Sequence, residues 1–463
     1  MEKKELFAGI DIGSSSIKYS IMDPGDPSVI SLGRLRYPAN TFLQNSVDVK
    51  AIAKLFLKLT RNLSSQGVKY AGLSSMAPIM ILADVNGEPV SAIPYNSLLG
   101  SEYIAEFNEE DFRKKTLNVP NVQMFQQKIM WFKHNNPNVL QKARSIMDLN
   151  SYLVSKYQEK PTAPVQDVNT ALEWGLIDAS KRDWDYEAAQ SLAIDHMLPQ
   201  LVTPEFTTSN KGMSVSLGTV DTLVSALGSV GMDQDKMFLS NGSTLCAGFI
   251  SETPLETRHM YNDFFFDGKY LVNGCNSQFS TIIDWAERNF RKRINVNDVD
   301  MVPRNSIFLP YLEGERSPLF DTNIRGALFD LDKSSTNDDI IAAAVHSLSY
   351  ISVDMIEHLK LMGDRLFTSV IAGGGLSKRN LASIISALTG LDYEITGVEP
   401  TTIGAILIAM RGNGLIKQYP RNTEEYGLRI EGRVHPNTNL LVHERNYKKF
   451  IKFREMLQNY YKN

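Results

Sequence analysis

Cysteine is nearly absent from this 463-residue chain. Cys246 and Cys275 are the only two, too few for a disulfide framework and without metal-ligand spacing, which fits a reducing cytoplasm. An excess of charge of one sign is lacking too: 48 Lys and Arg against 52 Asp and Glu leave a formal net charge of -4. Nucleic acid is therefore not expected as a partner, and the densest basic run, 447–452, reads as one solvated helix face. No segment looks apolar enough to span a bilayer, and the opening MEKKELFAG lacks the apolar core and cleavage site of a signal peptide. No membrane partner and a cytoplasmic location follow as expectations. The seven histidines show no metal spacing and read as structural or exposed. Low-complexity linkers and short tandem repeats are missing as well.

What is present suffices for two ordinary cores, with 43% hydrophobic and 22% charged residues. The most informative stretch is LFAGIDIGSSSIKYSIMD, residues 6–23. An apolar strand ends at Asp11, turns through Gly13, Ser14 and Ser15, and returns as a strand in which Ile17, Tyr19 and Ile21 alternate with Lys18, Ser20 and Met22. Such a turn offers backbone N–H groups to a phosphate and keeps one carboxylate beside it for a divalent cation. After Asp23 the PGDP turn leads to a third extended run, 29–37, so the chain opens as a meander. A P-loop is excluded, since no helix follows the turn and its Lys-Ser/Thr ending is missing.

The apolar spacing at Ile52, Leu55, Phe56, Leu59 and Leu63 predicts a helix, followed by strands at 70–73 and 79–84 and a turn at Asn86-Gly87. Near Met237 the first pattern returns: MFLSNGSTLCAGFI is a strand, a turn at Gly242, Ser243 and Thr244, and a return strand. Two such hairpins far apart suggest a duplication, with domains over 1–232 and 233–463 meeting near Gly231 to Asp235. Later come a helical stripe from Ile341 to Met355, a strand at 367–372 running into Gly373-Gly374-Gly375, a helix through Leu388, and an amphipathic closing helix. The triple glycine permits close approach of backbone to a ligand.

Each feature has an ordinary reading. The Gly13 turn by itself is a common hairpin loop, and Asp11 fits an Asx turn. Asp221, in SLGTVDTLVSALGSVG, suits a helix N-cap, and equally the carboxylate that a kinase acting on an alcohol needs to take the hydroxyl proton. Cys246 reads as buried packing. The two hairpins and the triple glycine together favour a nucleotide site, because a triphosphate needs donors from several loops beside a metal carboxylate.

Assembled in order, GIDIGSSSIKYSIMD, GLSSMAPIMILADVNGEPV, QKIMWFKHNNPNVLQKA, DLNSYLVSKY, GTVDTLVSALGSVG, SNGST, LPYLEGERSPLFDTNIRGALFDL and AGGGLSKRN resemble the FGGY carbohydrate kinase family over nearly the whole length. The resemblance implies an α/β fold of two RNase H-like domains, shared with actin, hexokinase and the Hsp70 chaperones, with ATP and Mg²⁺ in an interdomain cleft. It implies a small sugar, sugar acid or polyol as substrate; the sequence leaves the oligomeric state open, a homodimer among the alternatives. By the same resemblance Asp11 is metal-associated, Asp221 is the general base, and Gly13, Ser14, Ser15 and Lys18 belong to the first phosphate loop. Gly242, Ser243 and Thr244 form the second, where the family usually has Gly-Thr-Ser. Gly373, Gly374, Gly375 and Lys378 form the adenosine segment, with Ser280 and Asp284 near the adenine.

The departures are on the sugar side. Met76, Ala77 and Pro78 stand where xylulokinase-like members carry a Gln and a His, and the segment after that strand keeps an aromatic, Tyr95, without the usual Asp and Arg. Losing partners for hydroxyls changes the substrate, so D-xylulose is disfavoured. The alternative is an ATP-binding regulatory homologue with lost or altered sugar turnover.

Overall fold

A computed structural model describes residues 5–159, 162–299, 302 and 305–462. The chain divides into two compact units. The first comprises 1–232, 262–270 and 400–427; the second comprises 233–261, 271–399 and 428–463. Segments 262–270 and 400–427 thus belong to the first unit although they lie beyond residue 232, an exchange that local sequence does not signal.

The first unit is built on a sheet whose order runs Thr207–Asn210, Met213–Val220, Val68–Ser75, Leu6–Ile12, Ser16–Asp23, Asp26–Arg36. The last three are the antiparallel meander, while Val68–Ser75 lies parallel to both Leu6–Ile12 and Met213–Val220. The helix Val49–Ser65 makes the parallel crossover possible. Its buried Val49, Ile52, Phe56, Leu59 and Leu63 recur at helical spacing, and the Asp48 side chain accepts from the N–H of Ala51 at 3.0 Å as its N-cap.

The helix Pro400–Gly412 covers the sheet at unusually short range. A Cβ on Gly9 would overlap the carbonyl oxygen of Thr402, and one on Gly72 would overlap that of Ala405, so glycine alone permits this approach. The covering also explains a departure from the expected strand alternation. Ser20 and Met22 are buried along with Ile17 and Ile21, and Ser20 Oγ lies 2.6 Å from Thr402 Oγ1. Both faces of the return strand are packed, so polar residues on it do not mark a solvated face.

A smaller sheet of Met80–Ala83, Pro89–Ile93 and Ser145–Met147 adds a satellite core to this unit, where Phe125 stacks on Trp174 with ring centroids 4.5 Å apart.

The second unit repeats the strand order. Tyr270–Cys275, Leu245–Ser251, Lys236–Asn241, Ser369–Gly373, Asp392–Thr396 and Ile430–Val434 are neighbours in that sequence. Lys236–Asn241 and Ser369–Gly373 are parallel, as are Ser369–Gly373 and Asp392–Thr396, and Ile430–Val434 closes the edge antiparallel. One sheet order occurring twice in one chain is the signature of duplication.

Among the described residues one helix, Asn337–Met362, is long and apolar enough to cross a membrane, contrary to the expectation from sequence. Most of it is buried in the core of the second unit, where Val345, Leu348, Val353, Ile356 and Leu359 pack.

Candidate active site

In the first unit the candidate residues collect at the carboxyl ends of the parallel strands, where open α/β sheets bind ligands. Asp11 is 7% exposed, stands opposite Lys18 on the return strand and Ser74 on the parallel one, and accepts a hydrogen bond from Ser74 Oγ at 3.2 Å. The Gly13 N–H donates to the Ser16 carbonyl at 3.1 Å and closes the turn, leaving Ser14 and Ser15 exposed. The Tyr37 hydroxyl faces the same carboxylate: burial, and then the charge of Asp11, hold its pKa far above the usual range.

Met76, Ala77 and Pro78 continue from the neighbouring strand, and the Met76 N–H donates to the Ile12 carbonyl at 3.0 Å. All three are buried. Tyr95 follows the smaller sheet. Its carbonyl, with those of Val122 and Gln123, accepts from Lys128 Nζ at 3.4, 2.8 and 2.9 Å. Burial among neutral acceptors pulls the Lys128 pKa down to about 7.

Asp221 is the first residue of the helix Asp221–Val230, and the capping position belongs to Val220, which makes no side-chain cap. The N-cap alternative therefore does not describe this geometry. Val220 pairs with Ser75, so Asp221 emerges beside the Met76–Pro78 segment. Asp148 and Glu173 lie near enough to feel its charge. The Gln166 Oε1 accepts from the Asp148 N–H at 3.1 Å while its Nε2 donates to Asp167 Oδ2 at 3.0 Å. Thr170, capped by Asp167, has its Oγ1 3.0 Å from Thr219 Oγ1, two residues before Asp221.

Burial raises Asp148 to about 8 and Asp167 to about 6, and the charge of Asp221 adds to the shift of Asp148. Burial also pushes Glu173 well up, followed by the charges of Asp263 and then Asp221. Sequence reasoning missed Asp148, Asp167, Glu173 and Asp263 because they lie in distant short segments, only Asp167 and Glu173 sharing one as the two caps of the helix Val168–Leu172. The only available signal was that both Asp148 and Asp167 precede helical runs.

In the second unit, Gly242, Ser243 and Thr244 follow the strand Lys236–Asn241, and the turn closes through a bond from the Gly242 N–H to the Thr244 carbonyl at 3.0 Å. Behind it the N–H groups of Phe279 and Ser280 donate to the carbonyls of Ser243 and Gly242 at 2.7 and 3.3 Å. Ser280 thus begins its helix against the hairpin, whereas Asp284 is exposed on the same helix.

The triple glycine ends the adjacent parallel strand, with Ser240 opposite Gly373. Gly374 adopts φ of 100°, and a Cβ there would overlap the Asn241 carbonyl, while one on Gly375 would meet nothing. Lys378 is the half-buried residue just before the helix Arg379–Thr389.

Two supports were not anticipated. Asn241 is 2% exposed, and its Nδ2 reaches Ser377 Oγ at 3.1 Å and the Tyr393 hydroxyl at 3.0 Å, joining hairpin to glycine turn. The GERSP run lies behind the hairpin: Glu315 Oε1 accepts from the N–H of Ser277 at 2.6 Å, and the Arg316 guanidinium donates to the Asn276 carbonyl at 2.6 Å. Burial raises Glu315 to about 7. Cys246 is corrected too: it is half-buried and disulfide-bonded to Cys275 on the neighbouring strand.

These surroundings suit a magnesium nucleotide. The exposed Ser14, Ser15 and Ser243 of the two turns carry hydroxyl donors of the kind phosphates accept, and in the second unit a Cβ on Gly375 would meet nothing. Among the described residues no group of three or more His, Cys, Asp and Glu is placed to hold a metal. Magnesium is commonly held by one or two carboxylates with phosphate oxygens and water, a role open to Asp11.

Two sheets of one strand order, each carrying a turn with hydroxyl side chains after its first strand, define a two-domain protein of the actin-like fold. The chain belongs to the FGGY family of carbohydrate kinases: residues 6–229 match the family's N-terminal domain and 237–412 its C-terminal domain. It is similar to the xylulose kinase of Lactococcus lactis subsp. lactis (strain IL1403), 23% identical over 93% of this chain and 92% of that protein. The gluconokinase of Bacillus subtilis (strain 168) is 20% identical over 90% of each. Among solved structures, ligand-bound xylulose kinase from Lactobacillus acidophilus shares the fold with a TM-score of 0.86, at 19% identity and 99% coverage of both chains. The protein is a carbohydrate kinase that uses ATP with Mg²⁺.

Proposed function

We propose that this kinase transfers the γ-phosphoryl group of ATP to a hydroxyl of a small sugar, sugar acid or polyol, with Asp221 as the general base. The observation that carries the reading is the position of Asp221 at the start of its helix, beside the buried Met76–Pro78 segment. Asp221 orients the acceptor hydroxyl and takes its proton as the oxygen attacks phosphorus. The N–H and hydroxyl groups of the turns at 13–15 and 242–244 hold the phosphate oxygens, and Gly373 to Gly375 with Lys378 carry the adenosine side. Asp11 would hold the magnesium ion, which when bound would neutralise charge on the phosphates.

Met76 and Pro78 offer no hydrogen-bonding side chain, and each sugar hydroxyl left without a partner costs about 1–3 kcal/mol. Short polyols, deoxy sugars and small ketoses therefore rank above D-xylulose. We place the enzyme in the cytoplasm on the same reading.

A coupled ADP-release screen over glycerol, tetritols, pentitols, pentuloses, hexuloses, deoxy sugars and aldonates tests this. D-xylulose as the best acceptor overturns the pocket argument. No release above the ATP-only blank with any acceptor overturns the proposed turnover and favours a regulatory role.

A further inference from the structure

The only two cysteines of the chain form one bond, and it sits at the root of the second phosphate hairpin. Cys246 is two residues beyond Thr244 on the return strand, opposite Ser240. Cys275 ends the strand on the other side, immediately before Asn276. The residues next to the two cysteines are paired as well: the Leu245 N–H donates to Asn276 Oδ1 at 2.8 Å, and the Asn276 N–H donates to the Leu245 carbonyl at 2.9 Å. Four residues further on, Phe279 and Ser280 hold the carbonyls of Ser243 and Gly242. The bond therefore clamps the hairpin to the same segment, 276–280, whose backbone shapes the turn.

We propose that the Cys246–Cys275 disulfide is a thiol-exchange site that sets nucleotide affinity, the oxidised clamp holding the 242–244 turn ready for the phosphates and the reduced form relaxing it. The inference rests on that turn being a phosphate loop. Cys246 is half-buried and open to attack, whereas Cys275 is 7% exposed. A thiolate of a small dithiol attacks Cys246 Sγ, forming a mixed disulfide and releasing Cys275 as a thiolate that takes up a proton. The second thiol of the reagent then attacks its own linked sulfur, freeing Cys246 and leaving the reagent as a cyclic disulfide. Two electrons pass to the protein. In cytosolic proteins such bonds are commonly transient and redox-sensing rather than permanent staples.

The test uses the full-length enzyme after mild oxidation and after dithiothreitol, beside a Cys246→Ser/Cys275→Ser variant, with thiols counted by alkylation and mass spectrometry. Calorimetry with ADP and Mg²⁺ reads affinity independently of turnover. The expected result is no alkylated thiol in the oxidised protein, and a nucleotide Kd weaker by about fivefold in both the reduced and the variant proteins as preorganisation is lost. Equal affinity in all three overturns the proposal even where the reduced protein melts lower, since the bond is then only structural. Two free thiols after oxidation also overturn it. Nucleotide bound in no state removes the phosphate-loop assignment itself.

Discussion

Asn241 and Ser377 are 136 residues apart in sequence and 3.1 Å apart in space, and their side-chain bond joins the end of the hairpin strand to the turn that follows the triple glycine. Asn241 is buried and also reaches the Tyr393 hydroxyl. Asn241→Ala leaves Ser377 and Tyr393 without this donor, at a cost of about 1–3 kcal/mol in stability. The KM for ATP rises while that for the acceptor stays, because the sugar-side residues belong to the other unit. Calorimetric melting and a two-substrate kinetic matrix check both effects; a KM shift confined to the acceptor contradicts the placement.

Asp221→Asn keeps the fold and ATP binding and lowers kcat by a factor of about a hundred or more, as expected for loss of a general base. Asparagine at the first helical position is nearly isosteric and makes no new clash. Near-normal turnover on the best acceptor from the screen removes Asp221 from the mechanism.

Asp11→Ala raises the Mg²⁺ concentration for half-maximal rate on the order of ten- to a hundredfold and leaves acceptor binding unchanged. The carboxylate accepts from Ser74 Oγ and stands opposite Lys18. Loss of acceptor affinity with an unchanged Mg²⁺ requirement contradicts the assignment.

The buried carboxyl groups set a pH dependence. Asp148 is held at about 8 against an ordinary 3.8. Between those values the folded state keeps a proton that the unfolded state has released, so this group's contribution to stability falls as pH rises. Lys128, pulled down to about 7, acts in the opposite sense from there to its ordinary 10.5. Asp148→Asn preserves an oxygen to accept from the Ile79 N–H, a bond of 2.6 Å. Thermal melts from pH 5 to pH 7 show a flatter profile for the variant than for the native chain; parallel profiles mean that Asp148 ionises normally.

Much of this molecule is legible in its sequence because the informative features are local. The hairpins at 6–23 and 237–250, the helix from Val49 and the glycine run at 373–375 are set by alternation, helical spacing and residues that suit turns, all within a few neighbours. The ordered motifs carried the family in the same way.

What stayed hidden depends on distant partners. Polar Ser20 reads as solvated until the helix Pro400–Gly412 is seen against it, and Cys246 reads as packing until Cys275 is brought to the next strand. Asp148, Asp263 and the pair Asp167 and Glu173, which flank one short helix, lie far apart in the chain, and only folding brings their charges to bear on one another. The sequence by itself determined the strand, turn and helix segments and the residues that could serve a phosphate, because backbone preference acts over short range. Tertiary structure alone decided which carboxyl groups share a low-dielectric space and which backbones touch through glycine, because burial and Coulomb interactions depend on distance in space rather than along the chain.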